Sequence, residues 1–464
     1  MPTVEHFEYV FLGGGKGGKT LAIELAKSGK KVAVIEKGMI GGSCINVACI
    51  PAKSLIHNAK QFYLAQSYPT DTQLSAKHPV NMALVHERVQ SVVNQLVDIN
   101  LNGFMAAGFD LLLGRGRFTA ARRIEVALND GTTRLIEGEH VFINTGTVAT
   151  IPAIPGLKES MPMTHIEALA LQSLPEKLII IGGGYIGLEM AQAFQRLGSR
   201  VTIVQQAPRI LMSEDPEVTE VIQAAFVEEG IEIRSGVSPI QVAGRSGEAV
   251  TLTLDDQSII SGTHILVAAG RTPVTNDLGL DAAGVAVDAR GFIKVDERLA
   301  TSSYNTWAIG EVAGTPMFTH ASFDDYRVLR SQLAGGTVTT KGRIIPYAMF
   351  IEPELARIGL NETEAKNQGV EVRIAKLPMT SVPRARTQNA TKGFMKILID
   401  SHTDQILGFT MVGTNAGEVV TAVQLAMRGK LPYTVVRDTI IAHPLISEGL
   451  NILLANVPPK IDNQ

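Results

Sequence analysis

The two cysteines of this 464-residue chain, Cys44 and Cys49, share one hexapeptide within GGSCINVACIPAKSL, Gly41 to Leu55. Thiols this close can exchange with an external disulfide through a mixed-disulfide intermediate, which is redox chemistry. They can also be two buried free thiols, a common state for cysteine. A bridge between them would close almost no loop and so add little stability through chain entropy. On a straight α-helix their Cα atoms would stand roughly 8–9 Å apart, from a rise of about 1.5 Å and a turn of about 100° per residue. A disulfide needs about 4.4–6.8 Å. The segment must therefore leave the straight helix if the pair is to bond. Pro51 favours this, because it removes a helix hydrogen bond and clashes with the preceding turn.

Two further segments carry binding chemistry, and they resemble each other. GGGKGGKTLAIELAKSGKKVAVIEK runs from Gly13 to Lys37, and GGGYIGLEMAQAFQRLGSRVTIVQQ from Gly182 to Gln206. Gly13, Gly15 and Gly18 match Gly182, Gly184 and Gly187. Each segment reads strand, glycine turn, helix, strand, with leading strands at Tyr9–Leu12 and Leu178–Ile181. This is a βαβ dinucleotide-binding unit, in which glycines permit the tight turn and the helix N-terminus stabilises a pyrophosphate. One such motif is weak evidence, but two copies, each between a strand and a helix, are strong. The first unit ends on Glu36, a carboxylate suited to a free ribose 2′-OH, as in FAD. The second ends on Gln205 and Gln206, which tolerate either NADH or NADPH. Arg200 and Arg209 lie near without a clear place for a 2′-phosphate.

The chain is long enough for two to four domains. Its 45% hydrophobic and 19% charged residues describe a globular protein. A net charge of -3 gives no sign of nucleic acid or an anionic membrane as partner. No apolar run spans a bilayer and the N-terminus lacks a signal peptide, so the expected compartment is the cytoplasm. No resident metal site is expected.

With the glycine units and the cysteine segment in place, the chain resembles the class I pyridine nucleotide–disulfide oxidoreductases along nearly its whole length. That family includes dihydrolipoamide dehydrogenase, glutathione reductase and mercuric reductase. Its redox signature is GGTCxNxGCxPSK, from which this chain departs at Ser43, Ala48 and Ala52. FINTGT (Phe142–Thr147) and LVAAGRTP (Leu266–Pro273) resemble the family's crossover strands. TWAIGEVAG (Thr306–Gly314) resembles its second FAD motif, with Glu311 where the family has Asp. IPYAMFIEPELARIGLNETEA and ILGFTMVGTNAGEVV resemble its interface domain, and AHPLISEGLN its HPTxSE motif.

The resemblance implies an α/β fold: two Rossmann-like domains, for FAD and NAD(P), and an α+β C-terminal dimerisation domain. The expected boundaries are an FAD domain over 1–150 and an NAD(P) domain over 151–270. A return to the FAD domain follows over 271–340, then the interface domain over 341–464. It implies a redox-active Cys44–Cys49 disulfide, Cys49 near the flavin and Cys44 as interchange thiol. His443, from the partner subunit of a homodimer, would be general acid and base, oriented by Glu448. Lys53 would lie near the flavin and pair with Glu189, placed at the second glycine turn. Tyr185 would cover the nicotinamide pocket. FAD would be held by Gly13, Gly15, Gly18, Glu36, Lys53, Thr145, Gly146, Gly310 and Glu311. NAD(P) would be held by Gly182, Gly184, Tyr185, Gly187, Gln205, Gly270 and Arg271.

Within the family the branch is narrower. The chain ends IDNQ without a further cysteine, which disfavours standard mercuric ion reduction and the high-molecular-weight thioredoxin reductases. The cysteine pair disfavours soluble transhydrogenases and single-cysteine NAD(P)H oxidases. FLGGGKGGKTLA, FDDYRVLR and VPRAR resemble a bacterial mercuric-reductase-like group that defends against reactive chlorine and reduces Cu(II). Its acceptor would be a small thiol or disulfide, an oxidant or a metal ion. Dihydrolipoamide dehydrogenase is the alternative enzyme, a glutathione-type reductase lacks a recognisable glutathione pattern, and an FAD-binding regulatory protein is the alternative of another class.

Overall fold

The structure, a computed structural model, describes residues 3–67 and 79–460; the C-terminal IDNQ lies outside the described residues. The chain opens with β1 (Val4–Leu12), α1 (Lys16–Lys27), β2 (Val32–Glu36), α2 (Ser43–Asn46), α3 (Cys49–Ser67) and α4 (Met82–Ala107). β3 (Asp110–Ala120), β4 (Arg123–Leu128) and β5 (Thr133–Ile143) follow. β1 runs parallel to β2 on one side and to β5 on the other. Every residue of β2 is buried, as expected of a parallel strand covered on both faces. β6 (Thr147–Ala149) then leaves this body.

The second body holds α5 (His165–Leu169), β7 (Lys177–Ile181), α6 (Tyr185–Leu197), β8 (Arg200–Gln205), α7 (Pro216–Glu228) and β9 (Glu232–Ser235). An antiparallel meander of β10 (Pro239–Arg245), β11 (Ala249–Leu254) and β12 (Ile259–Gly262) precedes β13 (His264–Val267). The parallel sheet has the order β13-β7-β8-β9. β14 (Arg271–Pro273) pairs antiparallel with β6, so outgoing and returning chains form a two-stranded connector. After α8 (Leu280–Ala283), β15 (Thr306–Ala308) rejoins the first sheet beside β5, and α9 (Thr319–Leu333) packs on α1.

The last body is a five-stranded antiparallel sheet backed by helices. Its elements are β16 (Tyr347–Met349), β17 (Leu355–Gly359), α10 (Glu362–Asn367), β18 (Val372–Pro378), α11 (Pro383–Thr387), β19 (Phe394–Asp400) and β20 (Ile406–Val412). α12 (Ala416–Arg428), α13 (Tyr433–Arg437) and α14 (Gly449–Ala455) complete it. The fold is α/β, with two Rossmann-like units and an α+β C-terminal unit. Among the described residues no helix is long and apolar enough to cross a membrane.

Helix α3 joins the bodies. Ala52, Leu55 and Ala59 fall on one helical face and share a core with Leu188, Ala191 and Phe194 of α6. The second and third bodies are clamped at Lys396 of β19. Its buried ammonium meets Asp215 at 2.6 Å, Glu217 at 2.6 Å and Glu362 at 3.2 Å. Burial alone would raise the Asp215 carboxyl, but Lys396 and Thr363 bond its anion and hold it down to about 2. Removing the ammonium would leave the buried Asp215 carboxylate uncompensated, at a cost of about 3–5 kcal/mol.

Lys396→Met should lower the unfolding free energy by about that amount at neutral pH, read by urea titration. The depressed Asp215 contributes stability above the unfolded carboxylate value near ~3.9, and this is lost as pH falls towards about 2. Without the ammonium, the three crowded carboxyls take up protons at higher pH. The deficit of the variant should therefore narrow on acidification; a deficit that widens would contradict the clamp.

Candidate active site

The first glycine loop is packed to its limit. Gly13 has φ 105°, and a Cβ there would overlap the Asn144 carbonyl. Gly15 caps α1 in an extended conformation, with a would-be Cβ 2.6 Å from Asn144 Oδ1. Glu36, at the end of β2, accepts the amides of Gly14 (2.9 Å), Gly38 (3.0 Å) and Met39 (3.1 Å). The carboxylate thus closes the loop from beneath and stands at the ribose position of a dinucleotide.

Asn144, passed over in the sequence, ties this loop to the rest of the sheet. Its Oδ1 accepts the Gly18 amide at 3.2 Å and its Nδ2 donates to the Ile309 carbonyl at 2.9 Å. Its only local signal is a polar residue directly after the apolar strand β5. Thr145 donates to the Val274 carbonyl at 2.8 Å, and Gly310 lies against Asn144 and Ser322. Gly146, at φ 69°, has no atom within 4 Å of a would-be Cβ.

The second loop repeats the design. A Cβ on Gly182 would overlap the Ala268 carbonyl, and one on Gly187 the Gly182 carbonyl. Gly183 donates to Gln205 Oε1 at 2.8 Å, spanning the same 22 residues as Gly14 and Glu36. Here the loop is closed by a neutral amide. Arg209 donates to the carbonyls of Leu211 and Met212, and Arg200 pairs with Glu176. Space at Gly184 is open, and beside Gly270 the nearest atom to a would-be Cβ is 3.9 Å away. Open cradles at glycines, two helix N-termini and Glu36 fit FAD on the first unit and a nicotinamide nucleotide on the second.

Arg271 opens β14 of the two-stranded connector. Its guanidinium reaches Thr147 Oγ1 at 2.6 Å, the Thr147 carbonyl at 3.0 Å and Glu311 at 3.2 Å. Thr147 also bonds Glu311. Glu311, where the resemblance implies Asp, thus turns its carboxylate to the two-stranded connector.

The cysteine segment breaks, but not at Pro51. α2 ends at Asn46, Val47 leaves helical geometry at φ -142°, and α3 begins at Cys49. Pro51 falls in the first turn of α3, where a missing N–H costs little. The break places the two thiols where each acts on the other, and Cys49 Sγ lies 3.6 Å from Thr319 Oγ1 at the start of α9. The neighbouring Cys44 thiol lowers Cys49 below the ordinary thiol range; burial opposes this, while Thr319 and Lys53 assist. The Cys49 thiol, with burial, pushes Cys44 up. Negative charge is favoured on Cys49 over Cys44.

One turn along α3, Lys53 Nζ meets Glu189 at 2.8 and 3.1 Å and lies 4.9 Å from the Phe350 ring centroid. Glu189 lies on α6 rather than in the glycine turn, is buried, and also accepts the Phe350 amide at 3.0 Å. Tyr185 opens α6. Its hydroxyl donates to buried Glu214 at 3.3 Å, and its ring centroid lies 5.5 Å from that of Tyr347. His443 Nδ1 bonds both Glu448 oxygens, at 2.9 and 3.0 Å, and its side chain is 65% exposed. Among the described residues no hydrogen bond joins His443 to Cys44 within one chain.

The sequence profile of the pyridine nucleotide-disulphide oxidoreductase family matches residues 7–325, and that of its dimerisation domain residues 345–453. The chain is 35% identical over 457 residues to the probable pyridine nucleotide-disulfide oxidoreductase RclA of Escherichia coli (strain K12), covering 97% of this chain and 99% of that one. It is 33% identical over 451 residues to a mercuric reductase of Bacillus cereus, covering 96% of this chain and 70% of the relative. A solved Cu(II) complex of the HOCl-induced flavoprotein disulfide reductase RclA from Escherichia coli matches with a TM-score of 0.88 at 35% identity. That match covers 97% of this chain and all of the other.

Asn144→Leu removes both hydrogen bonds of the clasp and should lower FAD retention on gel filtration, with a cost of about 1–3 kcal/mol for the amide and carbonyl left behind. Full retention and an unchanged melting temperature would show that the glycine loop holds without it.

Proposed function

The chain belongs to the pyridine nucleotide–disulfide oxidoreductases, and we propose that it passes reducing equivalents from NAD(P)H to an oxidant, disulfide or metal-ion acceptor through Cys44 and Cys49. It is an FAD- and NAD(P)H-dependent enzyme and carries the family's dimerisation domain. We assign it to defence against reactive species in the cytoplasm, as a homodimer with shared active sites and with the four segments 1–150, 151–270, 271–340 and 341–464. The observation that carries the reading is the pair of thiols set at one helix break, with Cys49 3.6 Å from Thr319 Oγ1 and one turn from the Lys53–Glu189 pair.

FAD, when bound, supplies two-electron carriage between the nicotinamide and the thiol pair. The protein does the rest. Glu36 and the α1 amides would hold the adenosine side, and Glu311 the ribityl side. Gly182, Gly184, Gly187 and Gln205 would seat the second nucleotide, and Tyr185 would cover the nicotinamide pocket. Lys53 and Glu189 hold the two nucleotide units in register. With a disulfide acceptor, the Cys44 thiolate attacks one sulfur and releases a thiol. The Cys49 thiolate then displaces the second thiol from the mixed disulfide and closes the Cys44–Cys49 bridge. His443 of the partner subunit takes the Cys44 proton and returns it to the leaving thiolate, with its imidazole oriented by Glu448. The exposure of the His443 side chain, held on half-buried Glu448, supports this placement across subunits.

Cys44→Ser should abolish acceptor turnover while NAD(P)H still reduces the flavin. The serine hydroxyl can still donate to Cys49, and Thr319 and Lys53 remain, so the long-wavelength thiolate absorption should persist at the ordinary thiol value near ~8.5 and fade only as pH falls below it. Cys49→Ser keeping the band would reverse the two roles. His443→Ala should cut thiol–disulfide turnover by about 10²–10⁴-fold and spare reduction of artificial acceptors. Gln205→Glu should shift preference towards NADH, read as a ratio of kcat/KM values. For the acceptor, NAD(P)H-dependent reduction of hypothiocyanite and Cu(II) is measured beside dihydrolipoamide-dependent NAD⁺ reduction. Rapid lipoamide turnover with negligible oxidant and metal reduction would overturn the defence assignment in favour of dihydrolipoamide dehydrogenase.

A further inference from the structure

Lys19 is a buried cation without a carboxylate partner. It lies in the first turns of α1, is 5% exposed, and donates to the Gly41 carbonyl at 3.0 Å and to Asn100 Oδ1. Among the described residues it forms no ion pair. A buried ammonium is costly unless some charge or dipole compensates it. Nucleotide binding does not explain its direction, since it is tied to Gly41 and α4.

Gly41 opens the turn that carries Cys44, and that turn is tightly seated. Gly41 has φ 91°, and a Cβ there would lie 3.0 Å from Ile45 and 3.2 Å from Asn100. Gly42 has φ 86°, with its would-be Cβ 3.0 Å from Gly15 Cα. Asn100 is itself fixed, because its Nδ2 donates to the Leu96 carbonyl at 2.6 Å. Lys19 therefore fastens the redox turn to α1 and α4 at once.

We infer that Lys19 is a positioning residue for Cys44: it seats the redox turn and holds a positive charge beside the interchange thiol. The inference rests on the proposed role of Cys44. The groups around this thiol are Lys19 from α1, Cys49 on α3, and the Thr319 hydroxyl from α9, with Lys53 and Glu189 acting on Cys49 behind it. Cys44 becomes anionic when it attacks, and Lys19, fastened to the Gly41 carbonyl three residues before it, puts a positive charge on the same turn. The coupling is mutual. Burial, then repulsion from Lys16, bring Lys19 down to about 8, while Cys44 charge pulls it up; in return Lys19 opposes the rise of Cys44. At pH 7 the ammonium is charged and favours the Cys44 thiolate.

The test uses full-length FAD-loaded enzyme reduced anaerobically with NADPH. The rate of iodoacetamide alkylation at Cys44 is followed against pH by peptide mass spectrometry, with FAD content and melting temperature recorded. Lys19→Gln retains a donor for Gly41 but removes the charge. It should slow Cys44 alkylation at pH 7 about tenfold, while Lys19→Arg keeps the native rate at that pH. An unchanged rate in Lys19→Gln would overturn the inference, as would an equal slowing in Lys19→Arg. If Lys19→Gln does not fold, Lys19→Arg decides above about pH 8, where Lys19 loses its proton and arginine does not. Alkylation faster than native there upholds the charge role, and a native profile rejects it. If native Cys44 is not the preferentially alkylated thiol, the assignment of the interchange thiol fails instead, before any variant is compared.

Discussion

The packing of α3 against α6 is the constraint on which the other parts of the site depend. α3 begins with Cys49, and α6 begins at the second glycine loop with Tyr185. Their apolar contact through Ala52, Leu55, Ala59, Leu188 and Ala191 excludes water from the seam. Charges then lock its register at two points. Lys53 meets Glu189, and seven residues further along each helix Lys60 and Arg196 meet at Glu352. Seven residues is two helical turns, so both locks lie on the same face. Phe350 and Glu352 bring the third body to the same line. The redox helix, the nicotinamide unit and the dimerisation unit are thereby fixed relative to one another at the place where electrons must pass.

Buried charge elsewhere is balanced locally. Arg196 lies between Glu229 and Glu352, and Lys396 among three carboxylates. Removing one member of such a group costs more than the pair contributes, because desolvation was already suffered by the remaining partner. These clusters sit between bodies rather than inside one sheet. Hydrophobic contact is non-directional, whereas ionic contacts with fixed hydrogen-bond geometry specify one arrangement of the three units. Lys19 departs from this pattern, and its position under the cysteine turn relates the departure to the chemistry.

The two halves of the repeat show how one scaffold is put to two uses. Gly14 with Glu36, and Gly183 with Gln205, make the same loop-closing hydrogen bond. The carboxylate brings a charge to the ribose edge; the amide does not. Glu311 differs again: its carboxylate bonds Arg271 at the interdomain connector.

From the residues alone, the glycine spacing, the leading strands and the cysteine hexapeptide already specified two dinucleotide units and a thiol pair. These features are local: a tight turn or a period of helix is dictated by neighbours a few residues away. Even the need to break the helix between Cys44 and Cys49 was legible, since it follows from rise and turn. The place of the break was not, and Pro51 proved to start a helix. Tertiary structure alone decided the pairings over long separations. It placed Asn144 on Gly18 and Ile309, turned Arg271 to Glu311, and buried Lys19 beneath Gly41. A polar side chain's partner depends on which elements pack beside it, and that packing is settled by apolar surfaces drawn from the whole chain. The exposed His443 marks the same principle one level higher, because its proposed thiol partner belongs to a second copy of the chain.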